Sequence, residues 1–265
     1  MPRRPAVPPV DVPDLERLAA RSWRGLEEVR FGDWLLRAGG GFTGRANSVL
    51  AIGDPPGGGT PDDLRTAVAA VTRWYHGRGL RPRAQVPQPG SEPADAAFAD
   101  AGWTRDEDNL VLTAPLAGWA APDVPVVLAA EPDAAWLVGY HYRGNALPPV
   151  ARDVLVNAER PVFASVRVEP EPAPLAAVAR GVLVDGWLCV TAVTVHERYR
   201  RRGLARAVVA GLVSWARAGG GHSCLLQVAS SNGPALALYA RSGFTEHHRY
   251  HYRSGPEPEQ GVRPG

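Results

Sequence analysis

Residues 193–209, VTVHERYRRRGLARAVV, place Arg198, Arg200, Arg201, Arg202 and Arg206 around a single glycine, Gly203. An apolar strand pattern enters this segment and an amphipathic helical pattern leaves it. Between them stands Arg200-x-x-Gly203-x-Ala205. A residue without Cβ lets a ligand approach the backbone closely. The first amides of a helix have no intrahelical partner, and the helix dipole favours negative charge beside them. The chemistry that this combination suits is holding a diphosphate. The Lys and Ser/Thr of a P-loop are absent, and so is the GxGxxG of a dinucleotide fold. An arginine run by itself also describes a solvated helix face. A nucleic-acid surface would call for aromatic interleaving and a broad basic stripe, which are missing.

A second constellation follows. After the apolar run CLLQV (224–228) come Asn232, Ala235, Leu238, Tyr239, Gly243 and Phe244. A tyrosine, with an ordinary pKa near 10, can hand a proton to a departing group, help typically worth about 10²–10⁴-fold. In a short helix it can equally be a core aromatic. No carboxylate lies within WLCVTAVTV (187–195). Glu197 and His196 stand just beyond that strand, so the base for an attacking amine is unassigned and a water chain is the default.

The elements that must position these groups are legible in coarse form. Helices are expected at 14–24, 62–78, 92–100, 133–143, 149–158, 204–217 and 234–241, from apolar recurrence at helical spacing and from Pro and Gly punctuation. Strands are expected at 33–37, 43–52, 82–87, 107–113, 125–130, 161–168, 175–184, 187–195, 224–228 and 244–253. Asp185-Gly186 reads as a two-residue hairpin turn. AGWAAPDVP (117–125) reads as a linker. The Pro-rich residues 1–13 read as loosely attached.

Composition narrows the classes. The chain has 265 residues with a formal net charge of +2, 45% hydrophobic and 21% charged. That is ordinary globular composition without a global field for nucleic acid or membrane. No run of about 18 apolar residues is present, and the opening MPRRPAVPPVDVPD has no apolar leader segment. A cytoplasmic location is expected. All 29 basic residues are arginine, which excludes a lysine Schiff base and looks like GC-rich, actinobacterial codon usage. Cys189 and Cys224 sit in apolar segments without metal-ligand spacing, so reduced core thiols are expected. In HHRYHYR (247–253), His247 and His251 share a strand face. No Cys or carboxylate stands nearby at ligand spacing, so packing is the better account and no metal is expected.

Taken together, [Q/R]-x-x-G-x-[G/A] at a strand end and Asn followed by A-x-x-L-Y-x-x-x-G-F resemble the GNAT (general-control-related N-acetyltransferase) superfamily. The resemblance covers about residues 125–253. It implies a mixed α/β fold whose central sheet is mostly antiparallel, flanked by helices and splayed between its fourth and fifth strands. It implies acetyl-CoA as donor and direct attack by an amine in a ternary complex. Backbone groups of Val193, Thr194 and Val195 would pair with the pantetheine arm. Arg200 opens the motif, and amides from Arg201 and Arg202 through Gly203, Leu204 and Ala205 would hold the pyrophosphate. Asn232 would contact the arm, and Tyr239 would protonate the leaving thiolate.

An internal repeat is visible at an offset of 141 residues, carrying Trp74 onto Trp215 and Phe98 onto Tyr239. The same offset carries Arg200 onto Gly59, Gly203 onto Asp62 and Ala205 onto Leu64. The first half thus reads as a degenerate copy, at 14–116, of an active domain at 125–253, followed by a disordered tail at 254–265. The whole chain resembles an actinobacterial tandem group that includes putative N-acetylglutamate synthases and histone-acetyltransferase-like proteins. That resemblance implies an amino acid such as glutamate as acceptor. Other small amines (aminoglycosides, polyamines), protein amines and a non-catalytic acyl-CoA sensor are the alternatives. Trp34, Arg45 and Asn47, with Arg37 and Ser48, form a candidate substrate wall. Arg37, Arg45 and Arg180 are candidate partners for carboxylates, since the guanidinium fork pairs them bidentately. A monomer or homodimer is expected, without nucleic-acid or membrane partners.

Overall fold

The structure, a computed structural model, describes residues 7–142, 144–170 and 172–258. Residues 1–6 of the Pro-rich start and 259–265 of the expected tail lie outside the described residues. Contacts divide the chain into two compact units, one of residues 7–23 and 110–247, the other of residues 24–109 and 248–258. The halves expected from the sequence are each continuous. These units are not, because α1 (Val12–Ser22) belongs with the later residues and the chain end belongs with the earlier ones.

Helix α1 starts where Asp11 accepts a hydrogen bond from the Asp14 amide at 2.8 Å, with a proline in its first turn. Leu15, Leu18 and Ala19 form its buried face, as their spacing predicts. The unit of residues 24–109 follows. Its strands are β1 (Glu27–Phe31), β2 (Trp34–Ala38), β3 (Val49–Leu50), β4 (Arg83–Gln88) and β5 (Thr104–Arg105), with helices α2 (Pro61–His76) and α3 (Glu92–Asp100). The β1/β2 and β2/β3 pairs are antiparallel, and β3/β4 is parallel. The core gathers Trp34, Val68, Val71, Tyr75, Val86, Phe98 and Trp103. The strand expected over 43–52 is confined to β3. Residues 39–47 instead fold into a loop around Asn47, whose Oδ1 accepts from the Gly39 and Gly41 amides while its Nδ2 donates to the Phe42 and Thr43 carbonyls. Such side-chain bonds compete directly with a sheet ladder.

The other unit is built from β6 (Asn109–Pro115), β7 (Val127–Ala129), α4 (Ala134–Gly139), α5 (Ala151–Val156), β8 (Val162–Val166), β9 (Ala177–Val184), β10 (Trp187–Val195), α6 (Leu204–Ala218), β11 (Ser223–Ala229) and α7 (Gly233–Arg241). Its strand order is β6-β11-β10-β9-β8-β7. The pairs from β7 through β10 are antiparallel, and β10/β11 is parallel. Asp185 (φ 47°) and Gly186 (φ 78°) turn β9 into β10, the two positive φ values that a type I′ hairpin turn requires. Val208, Val209, Leu212, Val213 and Ala216 pack α6 onto the sheet. Truncating Leu212 to alanine costs about 2–5 kcal/mol in such a core.

The last strand, β12 (Thr245–Ser254), begins in this unit, and from His248 onward it belongs to the unit of residues 24–109. There it pairs antiparallel with β4, from Arg249↔Gln88 to Ser254↔Arg83. The segment expected as a free tail is tied down at its start: the Gly255 amide donates to Pro82, and Arg81 pairs with Glu257. No helix among the described residues is long and apolar enough to cross a membrane. The architecture is a mixed α/β fold with a mostly antiparallel sheet flanked by helices, as expected.

Candidate functional site

The start of α6 lacks the usual means of satisfying its first amides. Gly203 occupies the N-cap position at φ 76° and ψ 0° and offers no side-chain cap, and the first turn holds no acidic residue. The amides of Leu204, Ala205 and Arg206 have no hydrogen-bond partner among the described residues; the first intrahelical bond is from Ala207 to the Gly203 carbonyl. Arg201 also takes a left-handed conformation, φ 63°. Successive peptides that alternate hand in this way form a concave nest of N–H groups. A Cβ built on Gly203 would meet nothing within 4 Å, so the space over the nest is open. The glycine is required by its backbone angle and not by crowding.

The arginines differ in their duties. Arg198 pairs with Glu169 at 3.2 Å, and Glu169 also accepts a 3.1 Å bond from the hydroxyl of buried Tyr199. The guanidinium of Arg202 lies over the Tyr199 ring at 5.5 Å. This brace fixes the one-turn 3-10 helix Glu197–Tyr199 ahead of the nest. Arg200 and Arg201 are exposed and form no ion pair among the described residues. Glu169 was not singled out in the sequence, since nothing in its local pattern points to a partner thirty residues away.

The strand leading into the nest parts from its neighbour. Pairing of β10 with β11 runs from Trp187↔Ser223 to Val190↔Leu226 and ends there, while both strands continue. On its other edge β10 stays paired to β9 through Thr194↔Val178 and Val195↔Ala177, after a register shift between Thr191 and Thr194. Ala192 sits in that bulge with φ 54°. A non-glycine residue held there costs on the order of 1–3 kcal/mol, and such strain clusters at functional positions. The Thr191 hydroxyl beside it is buried and has no hydrogen-bond partner among the described residues. Residues 191–195 therefore present an open strand edge toward the gap, with Val193, Thr194 and Val195 on it. WLCVTAVTV reads as an uninterrupted strand, so the bulge has no signal in the sequence.

Across the gap, β11 leads into α7. Asn232, an exposed residue, caps that helix by accepting from the Ala235 amide at 3.2 Å, so its Oδ1 is engaged by the fold. Tyr239 is 7% exposed, with its ring 5.4 Å from Phe244. Its hydroxyl makes no hydrogen bond among the described residues and is not fully sealed from solvent. Burial, with the neighbouring Cys224 adding to it, pushes the phenol above its ordinary value. The group stays protonated and can donate to a ligand atom. His196 uses Nδ1 to cap the Arg198 amide at 3.3 Å, and Glu197 is exposed.

The residues expected to wall a substrate have fold duties. Trp34 is fully buried, donates from its indole to Gly53 at 3.0 Å and stacks on Phe98 at 5.6 Å. All four bonding positions of Asn47 are taken by its loop. Arg37, 2% exposed, donates to both oxygens of Ser48 and to Gln85. Arg180, fully buried, donates to the Leu155 and Ser22 carbonyls, with Trp23 5.0 Å beneath it. Arg45 is half-buried and lies close enough to Tyr252 to act on its ionisation. His251 donates to Asp95 at 2.7 Å, and no group of three or more His, Cys, Asp or Glu among the described residues is placed to hold a metal ion.

The chain is similar to known proteins over most of its length. The family described as "Probable histone acetyltransferase Rv0428c C-terminal" matches residues 10–253. The uncharacterized N-acetyltransferase YobR of Bacillus subtilis (strain 168) is 26% identical over 249 residues, spanning 92% of this chain and 98% of YobR. The probable histone acetyltransferase Rv0428c of Mycobacterium tuberculosis (strain ATCC 25618 / H37Rv) is 28% identical over 248 residues, 90% of this chain and 72% of that protein. Among solved structures, a GCN5-related N-acetyltransferase from Kribbella flavida superposes with a TM-score of 0.64 at 15% identity, covering 92% of this chain and 95% of its own. A tandem GNAT protein from the clavulanic acid biosynthesis pathway gives 0.60 at 16% identity, covering 95% and 90%. An uncapped helix start, a strand bulge and a parted parallel pair thus lie within a chain matched over nearly its whole length, and the chain belongs to the Rv0428c C-terminal family of GNAT-fold N-acetyltransferases.

Proposed function

We propose that the protein transfers an acetyl group from acetyl-CoA to the primary amine of an amino acid such as glutamate. The observation that carries the donor is the parting of β10 from β11 after Val190, which leads directly to the uncapped, positively charged start of α6. The residues present fit the coenzyme: unpaired amides at Leu204–Arg206 suit a diphosphate, and the open edge at 191–195 suits an amide-bearing arm. When bound, acetyl-CoA supplies an acetyl group activated as a thioester.

The chain supplies the rest. Backbone groups of Val193, Thr194 and Val195 hold the arm as an added strand would. An N–H of the bulge at Ala192 polarises the carbonyl, the electrostatic help that pre-oriented amides give. Tyr239, kept protonated by burial, gives its proton to the leaving sulfur. Binding both partners together supplies much of the rate by orientation. The attacking amine loses its proton to water, since β10 carries no carboxylate.

The acceptor reading rests on the general fit of a guanidinium fork to a carboxylate, with half-buried Arg45 as the candidate. We also read the chain as a tandem in which 125–253 is active and 14–116 is degenerate. Both units run from antiparallel strands into a parallel pair bridged by a helix, β3-α2-β4 in one and β10-α6-β11 in the other. Helix α2, however, is capped by Thr60 and opens with Asp62 and Asp63. An anion cradle there would meet a capped Asp63 amide and two negative charges.

The test is coenzyme A thiol release from acetyl-CoA across amino acids, polyamines, aminoglycosides and a basic peptide. Turnover with glutamate and not with the others supports the whole reading. Turnover with a different amine keeps the donor and removes the acceptor. Acetyl-CoA binding without turnover on any amine leaves a sensor in place of an enzyme.

A further inference from the structure

The sheet of the unit of residues 24–109 and 248–258 has two unlike faces. Trp34, Leu36, Val49, Ala84 and Val86 belong to the helix-covered core. The pairings Leu35↔Leu50, Leu50↔Gln85 and Gln85↔Tyr252 set those four residues in one row on the opposite face. Two residues further along each strand, a second row on that face holds Arg37, Ser48, Arg83 and Ser254. Arg83 pairs with Ser254 there, and Arg37 is hydrogen-bonded to Ser48. We infer that Arg37, Arg83 and the Gly44 amide form a binding site on this face for a small oxyanion, a carboxylate or a phosphate. The inference goes beyond acetyl transfer and does not depend on it.

The argument begins at Arg37. The residue is 2% exposed and forms no ion pair among the described residues. Its Nε and Nη2 donate to Ser48 and Gln85, which are neutral acceptors. A guanidinium keeps its charge at every physiological pH. A buried charge without a counter-ion is costly, and a well-packed apolar side chain in its place avoids that cost. The remaining Nη1 makes no hydrogen bond among the described residues and is not fully sealed from solvent. An anion that reaches Nη1 brings the charge that this side chain lacks.

Arg83 and Gly44 add further unused donors. Arg83 gives its Nη2 to Asp106, and its guanidinium lies 4.5 Å from the centre of the Tyr252 ring. Its Nε is buried without a partner, while its Nη1 is unbonded among the described residues and not fully sealed. Gly44 brings backbone to the same place: a Cβ built on it would stand 3.0 Å from the Tyr252 hydroxyl and 3.2 Å from Arg83 Nη1. Gly44 is buried, yet its amide has no hydrogen-bond partner among the described residues. Such buried, unpaired amides are rare. Arg45, Arg37 and Arg83 all act on the ionisation of Tyr252, so three positive charges surround one phenol. N–H donors gathered with positive charge suit the oxygens of an anion, through charge-assisted hydrogen bonds.

Calorimetric titration with glutarate and with inorganic phosphate, at constant ionic strength and without acetyl-CoA, tests this. The wild-type protein should bind at least one of them saturably, at one site per chain, and its melting temperature should rise with that anion. Tighter binding of glutarate assigns the site to an organic acid; tighter binding of phosphate assigns it to a phosphate group. Arg37→Gln should weaken binding about tenfold or more, the loss of a charge-assisted contact. Arg83→Gln should do the same, and it keeps the test if Arg37→Gln does not fold. Arg65→Gln, at an exposed arginine of α2, should bind as the wild type does. No saturable binding of either anion by the wild-type protein overturns the inference, whatever acetyl-CoA does. An equal loss in Arg65→Gln overturns it as well, because general charge would then hold the anion. Wild-type affinity in the folded Arg37→Gln and Arg83→Gln proteins removes the site from this face. Anion binding without any thiol release from acetyl-CoA strikes the transferase reading alone and leaves this site standing.

Discussion

The backbone carbonyl of Tyr239 accepts a 3.0 Å hydrogen bond from the amide of Phe244, with the two rings 5.4 Å apart. Phe98 repeats this relationship in the other unit: its carbonyl accepts from Trp103 at 3.0 Å, with the rings 4.7 Å apart. Gly243 (φ 87°) and Gly102 (φ 79°) turn the chain in the same sense ahead of each partner. The main chemical difference between the two positions is one phenolic hydroxyl.

Tyr239→Phe keeps that geometry and removes only the proton donor. Turnover is expected to fall about 10²–10⁴-fold, the usual worth of a general acid, while coenzyme affinity stays unchanged. Steady-state kinetics with calorimetry separates the two. Because burial holds the phenol above its ordinary value, the wild-type pH profile should show no falling limb near pH 10, where an exposed tyrosine would ionise. An unchanged turnover in the variant would remove Tyr239 from the mechanism.

Gly203→Ala probes the nest. The methyl meets open space, so the cost is in the backbone, about 1–2 kcal/mol for a left-handed non-glycine residue. Thermal unfolding should fall by only a few degrees. Coenzyme binding should fall about tenfold or more, because the amides turn away from the ligand. Wild-type affinity in a protein with a lowered melting temperature would show that the nest does not hold the anion.

Asp95 sets an acid limit for the unit of residues 24–109. Desolvation, the largest single influence on it, raises its pKa. Hydrogen bonds from Arg253 and His251, with their charges, outweigh that and leave it below its ordinary value of 3.8. A carboxylate depressed in the fold stabilises fully above its unfolded value, and this contribution is lost as pH falls through the folded value. Denaturant titrations of Asp95→Asn should show a loss of about 2–3 kcal/mol near neutral pH, typical of bonds to charged groups. They should also show a shallower decline than wild type below about pH 3.8. Parallel acid limbs in the two proteins would place the acid sensitivity elsewhere.

Cys189 and Cys224 are both buried, and burial pushes the Cys189 thiol up to about 12 and raises that of Cys224 as well. Since thiolate is the reactive form, neither should react with an aromatic disulfide reagent in the native protein at neutral pH. Both should react once the chain is unfolded in guanidinium. A thiol titrating in the native state would mean that this core opens on the timescale of labelling.

The motif residues were legible because each combines an unusual type with an exposed or capping position. Gly203, Asn232 and Tyr239 stand at a helix start, a helix cap and a short helix, where local chemistry dictates residue type. The fold duties of the expected substrate wall are less legible. Polar residues in Trp34, Arg37, Asn47 and Ser48 look like a ligand surface in sequence, whereas three of them spend their hydrogen bonds on one another and on a loop backbone. Arg180 belongs to the same lesson, a buried cation whose Nε and Nη1 donate to the carbonyls of Leu155 and Ser22. Strand β1 escaped because EEVRF has only a weak alternation and stays largely exposed. The bulge at Ala192 and the destinations of α1 and β12 escaped for a deeper reason. Periodicity reports which face of a strand is apolar, not which strand lies beside it.

Strand β12 ties the history of the chain to its shape. The unit that begins at Arg24 takes one of its strands from residues 248–254, so it cannot close its sheet until those residues have left the ribosome. Pairing of Tyr252 with Gln85 spans more than half the sequence, a loop-closure cost borne late and a route to slow folding. Vectorial synthesis therefore gives the earlier segment no head start. A nascent chain halted anywhere before His248 holds an incomplete N-terminal unit whose exposed β4 edge invites chaperones or a neighbouring chain.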